Sequence, residues 1–149
     1  MNVISIVSRT AALAAAALLL AATPVRAAQH LVVVERAMTD TTIDLGEKGD
    51  SLGDLLTFAN PVFDAANKVQ LGADQGYCVR VMVGKSWECF WTLILKDGQI
   101  TVEGPFYDEG DSVMIVTGGT GKYVGAKGSL KLHARDAKST SYDFVYDLQ

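Results

Sequence analysis

Apolar and polar residues alternate in short runs along the chain from His30 onward, and clusters of Gly, Asp, Asn and Lys separate the runs. Alternation with a period of two is typical of strands that bury one face, and the separating residues are typical of turns. No convincing amphipathic helix interrupts this pattern. It predicts strands at residues 31–39, 54–59, 77–83, 88–96, 99–104, 112–117, 129–135 and 142–148.

The turn residues favour an antiparallel order of these strands. Gly84-Lys85-Ser86 joins two of them, and Asp97-Gly98 is a strong signal for a type I′ hairpin between the next two. The segment 64–68 has room for one short helical turn before Gly72. Eight antiparallel strands in one small domain predict an all-β barrel or sandwich.

The first 27 residues have a different character. Arg9 precedes an apolar run at 11–22, and Val25 and Ala27 place small residues where a signal peptidase cleaves. The run is too short to span a bilayer as a helix. We therefore expect a signal peptide at 1–27, one folded domain at 28–149, and a secreted or periplasmic protein of bacterial origin.

The charge balance narrows the choice of partners. The 149 residues carry a net charge of −4, and the predicted signal peptide holds two of the basic residues, Arg9 and Arg26. A more acidic mature domain is not expected to bind nucleic acid or anionic membrane surfaces.

Two cysteines, Cys78 and Cys89, belong to the mature domain and would meet an oxidising compartment, where a disulfide is common. A hairpin centred near Lys85, however, places Cys78 opposite Trp91 or Thr92. That register separates the sulfur atoms by several positions. The pattern therefore favours two free thiols, with the disulfide as the alternative.

Glu35 is the unusual residue of the first predicted strand, because Val32, Val33 and Val34 precede it. Its carboxylate either points to solvent at a bend or lies in an apolar interior with a raised pKa. Alternation places Arg80 on the same side as Cys78. Arg80 either forms a buried pair with Glu35 or covers apolar surface from outside.

Other common chemistries have no matching motif. The two histidines and two cysteines lack the spacing of metal ligands, so no metal site is expected. The glycine-rich segment 118–122 does not follow the phosphate-loop pattern, and no cofactor is indicated. Scattered aromatic residues such as Phe58 and Phe106 are suited to a core or to the wall of an apolar cavity.

Several segments together resemble the allene oxide cyclase family and, more distantly, its dirigent-like relatives. They are LGDLLTFAN at 52–60, GYC at 76–78, ITVEGP at 100–105, GDSVMIVTGGTG at 110–121 and GAKG at 125–128. The resemblance implies an eight-stranded antiparallel barrel with an apolar cavity, commonly a homotrimer. It also implies that the cavity guides the cyclisation or isomerisation of a small hydrophobic molecule, such as an oxylipin or a polyene.

The family's functional positions correspond to Glu35, Asn60 and Cys78 in this sequence. By resemblance, Glu35 would stabilise positive charge and Asn60 would hydrogen-bond a substrate oxygen. Cys78, Arg80, Phe58 and Phe106 would shape the cavity or contact the ligand.

Two departures from the family pattern keep a second function open. Ala37 stands where the family has an asparagine, and Phe106 stands where it has a tyrosine. Loss of these polar anchors fits a non-catalytic protein that binds a lipid-like ligand, or a dirigent-like protein that orients an intermediate made elsewhere. A filled, purely structural barrel is the third alternative.

Overall fold

The computed structural model describes residues 28–149, and the predicted signal peptide lies outside them. Nine strands and one short 3-10 turn, Gly121–Tyr123, make up these residues. The strands are β1 Gln29–Arg36, β2 Thr41–Ile43, β3 Leu55–Asp64, β4 Gln70–Met82, β5 Ser86–Leu95, β6 Gly98–Tyr107, β7 Ser112–Gly119, β8 Gly128–Ala134 and β9 Ser141–Leu148.

All neighbouring strands are antiparallel, and the sheet closes on itself. From β3 to β9 each strand pairs with the next in sequence, β9 pairs with β1, and β1 pairs with β3. The short β2 lies on the edge of β3 outside the closed ring. The predicted eight-stranded antiparallel barrel is therefore confirmed, with one additional strand.

The first strand, predicted to reach residue 39, ends at Arg36, where the chain leaves the barrel, and the short β2 that follows was not predicted. The strand β3 pairs with β2 through Leu55, Leu56 and Thr57, and with β1 from Val62 onward. Pro61 lies between these two pairings, where its missing N–H leaves no donor unused.

The predicted helical turn at 64–68 is instead a tight connection between β3 and β4. The side chain of Asp64 accepts hydrogen bonds from the backbone N–H groups of Lys68 and Val69. Asn67 adopts a positive φ of 55°, and Asn tolerates this left-handed conformation better than most residues. The chain therefore reverses directly into β4, which starts at Gln70, well before the expected position.

Large apolar side chains fill one half of the barrel interior. Leu93, Ile100, Leu130, Phe144 and Tyr146 are almost completely buried. Each such side chain stabilises the fold by roughly 1.5–3 kcal/mol through removal from water. This packing closes the barrel end at which β1 begins and leaves open space toward the end at which β1 finishes.

Cys78 and Cys89 form a disulfide across β4 and β5, so the expectation of two free thiols is wrong. The two residues are direct partners in the ladder, with a Cα–Cα distance of 4.0 Å. The turn is centred on Gly84, because Met82 pairs with Ser86, and the register then shifts by one residue between Arg80 and Met82. The two effects together bring the sulfur atoms into contact, whereas a hairpin centred on Lys85 would separate them.

Within residues 28–149, no helix is long and apolar enough to span a membrane. The same residues contain no group of three or more histidine, cysteine or acidic side chains arranged to hold a metal ion.

Removal of the disulfide in a Cys78→Ala/Cys89→Ala variant should lower the free energy of unfolding by about 2–3 kcal/mol, the value expected for closing a loop of this length. Urea denaturation with and without a reductant measures the change. The reductant should destabilise the wild type and leave the variant unaffected. Two thiols titrating in the unreduced, unfolded wild type would contradict the pairing.

Candidate functional site

A cavity opens at the barrel end where β1 finishes. Its walls are mostly apolar and aromatic: Leu56, Phe58, Trp91, Phe106, Leu132 and Phe144. The Cys78–Cys89 disulfide forms part of the same wall, and Glu35, Asp40 and Tyr142 add the polar groups. The open volume is about 30 Å³, so a ligand larger than a few atoms must displace side chains at the mouth.

Trp91 extends into the interior because β4 has a glycine opposite it. Gly76 is the ladder partner of Trp91, and a Cβ atom at Gly76 would collide with Trp91 and the Phe90 carbonyl. The indole stacks on Phe144 at a centroid distance of 5.4 Å and meets Phe58 edge-on at 5.9 Å. These rings together give the cavity an aromatic floor.

Glu35 points into this cavity from β1. It pairs with Val62 on β3 and Tyr142 on β9, and only 5% of its surface is exposed. Burial raises the pKa of its carboxyl to about 7; the hydrogen bond from Asn60 lowers the pKa, and the nearby Asp40 raises it. The sequence allowed Glu35 either to face solvent or to lie in an apolar interior with a raised pKa. The structure shows the second of these.

Asn60 holds Glu35 in place. Its amide nitrogen donates to Glu35 Oε1 at 2.6 Å and to Asp40 Oδ1 at 2.7 Å. Its carbonyl oxygen accepts from the backbone N–H groups of Met38 and Thr39 and from the Thr39 hydroxyl, at 2.9 to 3.0 Å.

These bonds leave Asn60 with no free donor, although sequence analysis expected it to bind a substrate oxygen. The side chain is completely buried and does not line the cavity. It organises the loop that follows β1 and orients Glu35, so Asn60 is a positioning residue.

Two polar residues of the cavity, Asp40 and Tyr142, were not among the predicted site residues. Asp40 follows the break after β1 and comes close to Glu35 only through the fold, because both carboxylates accept from the same Asn60 nitrogen. Tyr142 contacts Phe106 edge-on at 6.0 Å. Burial raises the pKa of its phenol, which supplies the cavity hydroxyl that Phe106 lacks.

A third acidic residue, Asp74, lies deeper in the barrel beside Asn60, its partner on β3. The residue is fully buried, and among the described residues only the backbone N–H groups of Asn60 and of Asp74 itself approach its carboxyl oxygens, neither in a well-formed hydrogen bond. Burial and the nearby Glu35 raise its pKa to about 9. Trp91 Nε1 and Tyr146 Oη are also buried, and within residues 28–149 they have only each other as polar neighbours, without a well-formed hydrogen bond. The sequence pattern did not indicate that Asp74 is buried, because a single Asp within a strand gives no such signal.

Arg80 does not line the cavity and forms no pair with Glu35, in contrast to the expectation that it contacts the ligand. Its guanidinium group binds Asp108 through Nη1 at 2.8 Å and lies 2.6 Å from Asp50 through Nε. It also covers the Trp87 ring at 4.0 Å. Its two acidic partners lie in loops that the strand pattern could not place, so Arg80 ties these loops to the barrel rim.

The structure places the other predicted residues in the cavity wall. Phe58, Phe106 and Cys78 all line the cavity with Glu35, Cys78 as one half of the disulfide. Ala37, at the position of the family's asparagine, packs against the hydrophobic core.

Comparison with known protein families identifies the chain. Residues 27–138 match the family described as allene oxide cyclase. The chain belongs to the allene oxide cyclase family. This match covers most of the barrel and includes the segments that carry Glu35, Asn60, Cys78 and Phe106.

Several solved structures have the same barrel fold, and they belong to differently named proteins. A pyocyanin demethylase superimposes with a TM-score of 0.67 at 23% identity, over 78% of this chain and 98% of its own. The pterocarpan synthase dirigent protein PsPTS1 gives 0.67 at 14% identity, over 82% and 93%. AbnU, an exo-specific intermolecular Diels–Alderase, gives 0.64 at 15% identity, over 83% and 98%. At these identities the likeness establishes the fold.

Replacement of Asn60 by Ala should destabilise the protein by at least about 3 kcal/mol, because the change removes several buried hydrogen bonds and leaves the Glu35 carboxylate unpaired. Urea denaturation checks this value. Gln99 is an exposed amide residue, so Gln99→Ala is the control and should change stability by less than about 0.5 kcal/mol. An equally small effect at Asn60 would contradict its positioning role.

Replacement of Asp74 by Asn should stabilise the protein at pH 8. The folded state raises the pKa of Asp74 from 3.8 to about 9, so the unfolded chain releases this proton at lower pH. Wild-type stability therefore falls as pH rises between these values. We expect a gain of about 2 kcal/mol or more at pH 8 and little change near pH 4.

Urea denaturation across this pH range measures the effect, and the exposed Asp97→Asn is the matched control. A loss of stability at pH 8 in the Asp74→Asn variant would show that the carboxylate is compensated in the folded protein.

Proposed function

We propose that this protein binds a small, mostly apolar, unsaturated molecule in the barrel cavity and guides its isomerisation or cyclisation. The observation that carries the proposal is Glu35, a carboxyl group fixed by Asn60 in an otherwise aromatic cavity. Membership of the allene oxide cyclase family supports it, and so do the names of the structural neighbours, which include a Diels–Alderase.

Glu35 is suited to two related tasks. Its pKa of about 7 allows it to take up and release a proton near neutral pH, as general acid–base catalysis requires. Its ionised form also stabilises positive charge that develops in a bound substrate, for example when an epoxide opens. Both tasks use the carboxylate as the active form at the start of the reaction.

The walls of the cavity contribute orientation. Phe58, Phe106 and Tyr142 would hold an unsaturated chain or ring in one conformation, which favours one product over the mixture formed in water. The small open volume selects compact substrates, or substrates that enter as Phe58 and Phe106 turn aside. Both phenylalanines are only half-buried.

A non-catalytic protein that carries or orients a lipid-like ligand is the second candidate. Its specific support is the scarcity of polar groups in the cavity, with Ala37 and Phe106 at two positions that are polar in the family. The dirigent protein among the structural neighbours has a barrel of the same fold. This candidate predicts ligand binding that does not depend on Glu35.

The proposal also covers the location and the assembly of the protein. We propose cleavage after Ala27 and action in the periplasm or outside the cell, because the disulfide suits an oxidising compartment. We also propose a homotrimer, in line with the family resemblance. Exposed apolar residues on the outer face of neighbouring strands support an assembly: Tyr77, Val81, Phe90, Val113 and Ile115.

Two uncharged substrates test catalysis in the protein exported from a bacterial host. The first is an allene epoxide, formed in place from the methyl ester of a fatty-acid hydroperoxide, with chiral analysis of the cyclopentenone. The second is cyclohex-3-enone, whose conversion to cyclohex-2-enone needs one proton removed at C2 and one returned at C4. We expect an excess of one enantiomer, or a rate above background, for at least one substrate.

Replacement of Glu35 by Gln should reduce this turnover at least about tenfold while substrate or product binding changes less than about threefold. Wild-type turnover should rise with pH through about 7, because the carboxylate is the active form. Glu109 lies exposed in the loop after β6, so Glu109→Gln is the charge-matched control and should behave as wild type.

Racemic product and background rates with wild-type protein, despite binding of the substrates, would select the non-catalytic candidate. Equal losses of turnover and binding in Glu35→Gln would exclude a role for this carboxylate in the transition state.

A further inference from the structure

The acidic side chains around the cavity have no basic partner. Glu35 and Asp40 converge on one amide nitrogen of Asn60, so their carboxylates lie close together at the mouth. Asp74 adds a third carboxyl group behind them. Among the described residues, no Lys, Arg or His side chain lines this cavity.

The nearest candidates for a neutralising cation are engaged elsewhere. Arg80, two positions along β4 from Cys78, is bound by Asp50 and Asp108. Arg36, which follows Glu35, points to the other face of β1, where it stacks on Phe63 and binds Asn67. The remaining titratable groups near Glu35, the phenols of Tyr142 and Tyr146, contribute no positive charge.

One carboxylate oxygen of Glu35 is available to a ligand. Oε1 accepts from Asn60, whereas no hydrogen bond within the described residues engages Oε2. The side chain lines the cavity and is almost fully buried, since only 5% of its surface is exposed. Oε2 of this nearly buried side chain therefore remains accessible from the cavity in which a ligand would bind.

The aromatic walls, like the carboxylates, favour a positively charged ligand. The faces of aromatic rings carry negative potential and attract cations, most strongly where water is excluded. Phe58, Trp91, Phe106, Tyr142 and Phe144 surround the cavity. A carboxylate ligand would meet repulsion from Glu35 and Asp40 and would find no donor with a positive charge.

We infer that the cavity takes a ligand with a positive charge on a flat or compact apolar body, and that Glu35 and Asp40 hold this charge against the aromatic walls. A quaternary or protonated ring nitrogen is the matching chemical group. This inference rests on the proposed function of the cavity and names the class of its substrate. It also predicts that free fatty acids are poor ligands.

Three probes of the same shape test the sign of the charge: 1-methylquinolinium, 1-methylnaphthalene and 1-naphthoate. Each is titrated into the exported protein, and the indole N–H signal of Trp91 in ¹H–¹⁵N spectra follows binding. The chain has two tryptophans, and Trp87, covered by Arg80, serves as an internal reference. Binding alone is measured, so the outcome does not depend on turnover.

At a pH of about 8.5 we expect the cation to bind at least about tenfold more tightly than the neutral probe, and the anion to bind more weakly than both. The preference should shrink as pH falls through about 7, because protonation removes the charge of Glu35. The affinity of the neutral probe should stay constant over the same range.

Variants assign the effect to the two carboxylates. Glu35→Gln and Asp40→Asn should each reduce the preference for the cation, and Glu109→Gln in the loop after β6 should keep it. Asp40 is exposed, so Asp40→Asn tests the inference even if Glu35→Gln fails to fold.

Equal binding of the cation and the neutral probe would overturn the inference and leave the proposed apolar cavity intact. Tighter binding of the anion would also overturn it. Failure of all three probes to bind would overturn both the inference and the proposed binding function.

Discussion

The side-chain amide of Asn60 on β3 holds three parts of the chain segment that runs from the end of β1 into the following loop. It fixes the backbone where the chain leaves β1, it binds Asp40 in the loop beyond, and it orients Glu35 inside the barrel. A single buried amide can satisfy these groups because it has two donors and a carbonyl that accepts several bonds. The shape of the cavity mouth and the direction of the Glu35 carboxylate both depend on this residue.

The buried carboxyl groups reduce the stability that the apolar core provides. Leu93, Ile100 and Tyr146 fill one half of the barrel in the way expected of a structural core. Glu35 and Asp74 are buried in the same interior without a cation, and burial of charge is unfavourable unless it is compensated. Such a conflict between local rules and the fold is typical of functional sites. The raised pKa of each carboxyl follows from this arrangement.

Period-two alternation and turn residues were sufficient for the antiparallel strands, because they report directly on strands with one buried face, and the family resemblance selected a barrel over a sandwich. The sequence was also sufficient for Glu35, Asn60, Phe58 and Phe106 as parts of one region, through the family resemblance. The register was predicted wrongly, because the turn is centred on Gly84 and the ladder shifts by one residue between Arg80 and Met82, so the expected free thiols form a disulfide. Asp40 and the partners of Arg80 lie in loops, whose positions are set by tertiary hydrogen bonds and leave no periodic signal.

The Cys78–Cys89 disulfide gives the cavity walls unequal freedom to move. It joins β4 and β5 covalently beside Trp91, and so fixes the separation of these strands at the height of the cavity. The rest of the wall, which includes Phe106 on the neighbouring strand β6 and Leu132 and Tyr142 on β8 and β9, is held by packing and ladder hydrogen bonds alone. When a molecule enters, the cavity would therefore expand on one side. The disulfide-linked hairpin of β4 and β5 would stay in place, and the side chains of β6, β8 and β9 would move.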